Sequence, residues 1–209
     1  MKSVLISIQP KWCELIASGK KTVEVRKTKP KLETPFKCYI YCTNKKKGDN
    51  EWRFKPYLYL DKSSQYGEPK VRWIDVAFES IFKCEYLHGK VIGEFVCNKI
   101  DKIFQCNSGW VKEHACISRE EYFEYLGLPY NSHFDDKGAY AWHISALVIY
   151  DKPRELGGFY HACKQPSGTD CSVCRDRVEQ NCWQITRPPQ SWCYVESEEL
   201  VEVTSFWFE

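Results

Sequence analysis

Short runs of alternating apolar and polar residues recur along this chain, and helical spacing is rare. Ser3 to Ile8 (SVLISI) reads as a first strand. Pro10 then opens a helix, because a first-turn proline loses no N–H that the helix needs. Trp12, Leu15 and Ile16 follow at helical spacing, and Gly19 can end the helix in a left-handed conformation. The next stretch, Gly19 to Lys27 (GKKTVEVRK), alternates again. Val23 and Val25 belong on the core side of a strand, while Thr22, Glu24 and Arg26 line its other face, with Lys21 at the entry.

Further along, Phe36 to Thr43 (FKCYIYCT) and Lys90 to Phe104 (KVIGEFVCNKIDKIF) are strand patterns. Ser118 and Glu121 have the spacing of a capping box, predicting a short helix that Gly127 ends. Tyr140 to Tyr150 (YAWHISALVIY) is strand, closed by Pro153, and Pro188 to Glu196 (PPQSWCYVE) is a turn into a strand. Val201 to Phe208 is a further candidate strand. Residues at about 51–89 carry scattered aromatics and read as an elaboration between two barrel strands; no internal repeat is visible. Many short strands with few helices predict a mainly β fold, a small β-barrel with peripheral helices.

Composition narrows the function. Apolar residues make up 43% of the 209, which excludes wholesale disorder. The aromatic share of 15% must fill a core or stack on something. A formal net charge of +2 excludes a global field for polyanions, so a nucleic-acid site has to be local. Lys20, Lys21, Arg26, Lys27, Lys29 and Lys31 supply such a cluster, although a solvated basic face explains them equally well. Met1 to Pro10 lacks the apolar run of a signal peptide, and no segment has the length of a membrane span, so the expected location is the cytoplasm.

Thiols stay reduced there, and the chain has 12 cysteines. Cys163, Cys171, Cys174 and Cys182 stand as C-x7-C-x2-C-x7-C in a polar insert at about 157–184. The Cys171–Cys174 knuckle can take two adjacent corners of a tetrahedral zinc, and Cys163 and Cys182, or His161 in place of Cys163, can complete it. Four thiolates leave no open position, so the expected zinc is structural. An iron–sulfur cluster, a redox pair or four unrelated thiols are the other readings. Most of the other cysteines sit in apolar, strand-like contexts and read as small core residues.

Several of these segments carry a family resemblance. LISIQPKWCELIASGKKTVEVRK contains the pattern G-x-K-x-x-E-x-R as Gly19, Lys21, Glu24 and Arg26, and KCYIYCT, KVIGEF, AYAWHISAL and RPPQSWCYVE follow in order. Together they resemble the ASCH-domain proteins, PUA-like β-barrels, and in particular those of phages and prophages of Gram-positive gut bacteria, in which a cysteine-rich insert precedes the PPQSW segment. The resemblance implies one domain over 1–209, a PUA-like small barrel with a zinc-binding insertion. It also implies a groove that binds RNA or a modified base or nucleotide.

The residues expected at that groove are Ser7, Lys21, Glu24, Arg26, Lys27, Trp142, Ser191 and Trp192. Lys21, Arg26 and Lys27 would hold phosphate, Glu24 would accept from a base amino group, and Trp142 or Trp192 would stack. Core packing is an equal reading for Trp142, and a structural role for His143 outweighs a catalytic one. Tyr39 and Tyr41 share a face and could line the groove. Some family members are amidohydrolases on N4-acetylcytidine, and a ribonuclease activity is proposed for others. Lys21 matches their catalytic lysine, but Glu24 stands where their nucleophilic threonine would be, and Thr22 is out of register with it. Their catalytic glutamate corresponds to Glu120, Glu121 or Glu124 by rough location. A hydrolase using Lys21 and Glu24 as an acid–base pair is therefore the alternative. A host protein bound through the elaboration and the insert is a third reading.

Overall fold

The computed structural model describes residues 2–44, 57–61, 70–74, 85–129, 138–162 and 184–196. The strands are β1 (Lys2–Ile8), β2 (Val23–Arg26), β3 (Phe36–Cys42), β4 (Tyr57–Asp61), β5 (Lys70–Ile74), β6 (Glu85–Tyr86), β7 (Lys90–Ile103), β8 (Ala139–Glu155) and β9 (Trp192–Glu196). The helices are α1 (Pro10–Ala17), α2 (Ser108–Ala115) and α3 (Arg119–Leu126). Six strands form one mixed sheet in the order β2-β8-β7-β3-β1-β9, with β1 and β3 parallel and the other neighbours antiparallel. A second sheet, β5-β4-β6, lies within the segment expected to be an elaboration. Its Leu58 and Leu60, and Leu87 beyond it, join the main core.

The local signals for α1 and α3 act as expected. Pro10 occupies the first turn of α1, and Gly19 takes a φ of +73° just past its end. Ser118 Oγ accepts from the Glu121 N–H at 3.1 Å, and Glu121 Oε2 accepts from the Ser118 N–H at 2.9 Å. Helix α2 has no such signature. No side chain caps its start, Gly109 sits in its first turn, and its fully buried residues are Val111 and Ala115. It forms because those residues, with the partly buried Trp110, pack on β2 and α3. Strand β8 also runs past its expected end at Pro153, which falls in an irregular stretch between the paired residues Ile149 and Arg154. No ladder hydrogen bond is lost there.

The expected closed barrel is corrected. Among the described residues the sheet is not closed, because β2 and β9 are edge strands that share no ladder. β2 is four residues long, and side chains span the remaining gap. Arg26 donates from Nη2 to the Ser7 carbonyl at 2.6 Å and from Nη1 to Ser191 Oγ at 3.4 Å. Trp192 Nε1 donates to Thr28 Oγ1 at 3.0 Å, and the Lys31 N–H donates to the Tyr194 hydroxyl at 2.7 Å.

Register decides what β2 faces. Glu24 and Arg26 lie opposite Trp142 and Tyr140, while Val23 and Val25 lie opposite His143 and Ala141. Directly paired residues share a face. Val23 and Val25 therefore pack on the outer side with Val111, Tyr122 and Phe123 from α2 and α3. Glu24 and Arg26 point to the inner side, where Trp142 is fully buried in the largest core cluster. Both faces of β2 are covered.

Candidate nucleotide groove

The inner face of β2 carries a buried cluster of charge. Lys21 is 1% exposed and Glu24 is 6% exposed. The Lys21 ammonium lies 3.3 Å from Glu24 Oε2 and donates to the Ala115 carbonyl at 2.8 Å. Arg26 Nη2 lies 3.0 Å from Glu24 Oε1. Burial pulls the proton affinity of Lys21 below its ordinary value, and Glu24 beside it acts in the opposite direction. Arg26 Nε is buried and has no acceptor among the described residues.

These groups form the floor of a cavity of about 840 Å³. Its walls come from α1 through Trp12, from α3 through Tyr125, and from the turn before β9 through Pro188, Pro189 and Gln190. At its rim Lys11 of α1 meets Glu121 of α3 at 2.8 Å. That volume is within the range of sites that hold a nucleotide-sized molecule. The floor carries two cationic groups against one carboxylate, and the walls carry an indole and a phenol.

Of the residues singled out in the sequence, Ser7, Lys21, Glu24 and Arg26 meet here. Ser7 Oγ donates to the Pro189 carbonyl at 2.6 Å and so ties β1 to the β9 turn. Ser191 accepts from Arg26 but does not line the cavity. Lys27 is exposed beside the rim, with its ammonium 5.1 Å from the Tyr125 ring centre. Lys21 is placed too deep to meet a phosphate at the surface, because its ammonium is held between Glu24 and the carbonyl at the end of α2, a helix the sequence did not signal.

Trp142 is 0% exposed and edge-on to Phe36, so it has no free face for a base. Trp192 packs between Trp142 and Tyr194, at ring distances of 5.9 and 5.4 Å. Tyr39 and Tyr41 are buried in a different cluster, away from the groove. His143 hydrogen-bonds Asp101 at 2.8 Å on the outer face. Of the three candidate glutamates, Glu121 lines the groove, while Glu120 and Glu124 are exposed elsewhere on α3. The groove aromatics are instead Trp12 and Tyr125. Trp12 read as part of a helix core, and nothing in the spacing of Tyr125 set it apart.

Cys163, Cys171, Cys174 and Cys182 lie outside the described residues, as does Val201 to Phe208. Among the described residues no group of His, Cys, Asp or Glu is arranged to hold a metal. Cys13, Cys38, Cys42 and Cys97 are buried core residues, whereas Cys106 is exposed and Cys116 and Cys193 are partly so. No helix among the described residues is long and apolar enough to cross a membrane.

The model of the ASCH domain matches residues 6–150, well over half of the chain. Among solved structures, the chain is similar to ASCH from Zymomonas mobilis at 18% identity. That match covers 94% of this chain and 89% of that one, with a TM-score of 0.48. A tyrosine-to-phenylalanine mutant of the Zymomonas mobilis protein matches at 17% identity, covering 94% and 92%, with a TM-score of 0.44. A serine-to-alanine mutant matches at 16% identity, covering 93% and 89%, also at 0.44. No curated protein matches the chain.

Proposed function

The chain belongs to the ASCH-domain family, and on that premise we propose that its groove binds an unpaired nucleotide of RNA or a modified nucleotide. The observation that supports this most is the cavity itself, with cations and one carboxylate at its floor and Trp12 and Tyr125 at its walls. Glu24 has lone pairs left for a base amino group, and buried Arg26 Nε is a donor in need of an acceptor. An indole or phenol wall suits a base, since stacking contributes about 1–3 kcal/mol per base. The test is a fluorescence-anisotropy titration of short RNA against wild type, Trp12→Leu and Glu24→Gln, each checked for folding. Weaker binding in both variants is expected. Unchanged affinity in both would overturn the reading.

A second reading, hydrolysis of a nucleoside or RNA, is favoured by the Lys21–Glu24 pair, because a buried lysine of lowered proton affinity beside a carboxylate suits acid–base chemistry. Nucleoside chromatography after incubation with N4-acetylcytidine, and gel analysis of labelled RNA, test it. Turnover lost in Glu24→Gln would support it, and no turnover of either substrate would remove it. The four-cysteine insert we read as a structural zinc site, on its spacing alone.

A further inference from the structure

We propose that a strip of lysines leading out of the groove tracks the phosphodiester backbone of a single strand of nucleic acid that runs on from the nucleotide held in the groove. This rests on the groove reading and extends it.

The strip is defined by register. Tyr140 lies opposite Arg26 on one side and opposite Lys102 on the other. Arg26, Tyr140 and Lys102 therefore form a row across β2, β8 and β7, with neighbours about 5 Å apart. Lys29 reaches over the Tyr140 ring, 5.7 Å from its centre. At one end of the row Lys27 lies over Tyr125, which also lines the groove. At the other end Lys102 lies 4.9 Å from the Phe104 ring centre.

Charge separates these lysines from many of the others. Lys11, Lys21, Lys37, Lys90 and Lys99 each pair with a carboxylate. Lys27, Lys29 and Lys102 are exposed and have no carboxylate partner among the described residues. In a protein of net charge +2, three such lysines along the row, without carboxylate partners among the described residues, make a local field for a polyanion. The aromatic rings beneath hold the ammonium groups in a line, since a cation is drawn to a ring face. One line of cations fits one backbone, and a groove that takes an unpaired base excludes a duplex at that point.

The experiment compares wild type with the Lys29→Gln/Lys102→Gln double variant of the full chain. Neither residue touches the groove, and glutamine keeps most of the side-chain length. The probes are a nucleoside monophosphate, single-stranded RNA and DNA of about eight nucleotides, a matching duplex, and polyglutamate. Affinity is measured across roughly 50 to 200 mM salt. Each phosphate contact on a single strand contributes about 0.7 to the salt slope, so the double variant should lose about 1.4 from it. Its affinity for the monophosphate should not change. An unchanged slope for the oligonucleotides overturns the strip, as does a failure of any oligonucleotide to bind better than the monophosphate. Polyglutamate bound as tightly, with the same loss in the variant, assigns the strip to an acidic protein and also overturns it. If the oligonucleotide slope falls in the double variant while Trp12→Leu and Glu24→Gln have no effect, the strip stands and the groove reading fails.

Discussion

The Lys21 ammonium donates to the Ala115 carbonyl at 2.8 Å, across ninety-four residues of sequence. It thereby satisfies a carbonyl at the C-terminus of α2, where the helix cannot supply its own partner. The neighbouring Thr22 N–H bonds the His114 carbonyl at 2.9 Å in the same way. A cation there also suits the negative end of the helix dipole. The residue that enters the groove floor thus also fastens α2, which packs on the other face of β2.

Removing that cation should cost stability before it touches function. Lys21→Met leaves the Ala115 carbonyl without this donor and Glu24 with Arg26 as its cation. Leaving a buried acceptor without its donor in this way costs about 1–3 kcal/mol. A urea-unfolding series should show it, and the Lys21→Met/Glu24→Gln double variant should lose more, because Arg26 is then left without its carboxylate. A single variant as stable as wild type would show that the pair contributes little. Binding assays on Lys21 variants therefore need a folding control.

Trp142 is a structural residue in this arrangement. Trp142→Ala should cost about 3–5 kcal/mol, as for other large aromatic truncations in cores. The milder Trp142→Phe should stay folded and bind nucleotide as wild type does. A loss of affinity in folded Trp142→Phe would contradict its placement away from the groove.

Acid should weaken the fold through Glu94 and Glu121. Partial burial alone would raise the Glu94 carboxyl, but the Lys37 ammonium at 2.8 Å and the Tyr150 hydroxyl at 2.6 Å outweigh it and hold it low. Lys11 holds Glu121 low in the same way. On unfolding each returns to an ordinary value of about 4.3. Between the lowered and the ordinary value the unfolded chain binds more protons, so stability rises with pH there. The contribution is fully present above the ordinary value and is lost as pH falls through the lowered one. Urea midpoints measured from about pH 6 to pH 3 should therefore fall, and Glu94→Gln should flatten part of the fall. A midpoint constant over that range would refute this.

The cysteine insert makes a separate prediction. Elemental analysis of the purified protein should find about one zinc per chain, and Cys171→Ser with Cys174→Ser should remove it. Metal-free, fully folded wild type would end the zinc reading.

Local chemistry was legible without the fold. Pro10, Gly19, the Ser118–Glu121 box and Gly127 mark α1 and α3, because caps and turn glycines act over a few residues. Alternation found the six strands of the main sheet, and Glu24 and Arg26 stand together on one face because the strand period is two. The tertiary structure decided which side that face meets. Val23 and Val25 pack under α2 and α3 rather than in the main core, a consequence of pairing β2 with β8. Helix α2 itself has too weak a pattern to read alone and exists by packing on its neighbours. The groove walls, Trp12 and Tyr125, come from helices more than a hundred residues apart, and the row Arg26–Tyr140–Lys102 exists through strand register alone. Sequence spacing encodes neighbours along the chain, and only long-range pairing brings such residues side by side.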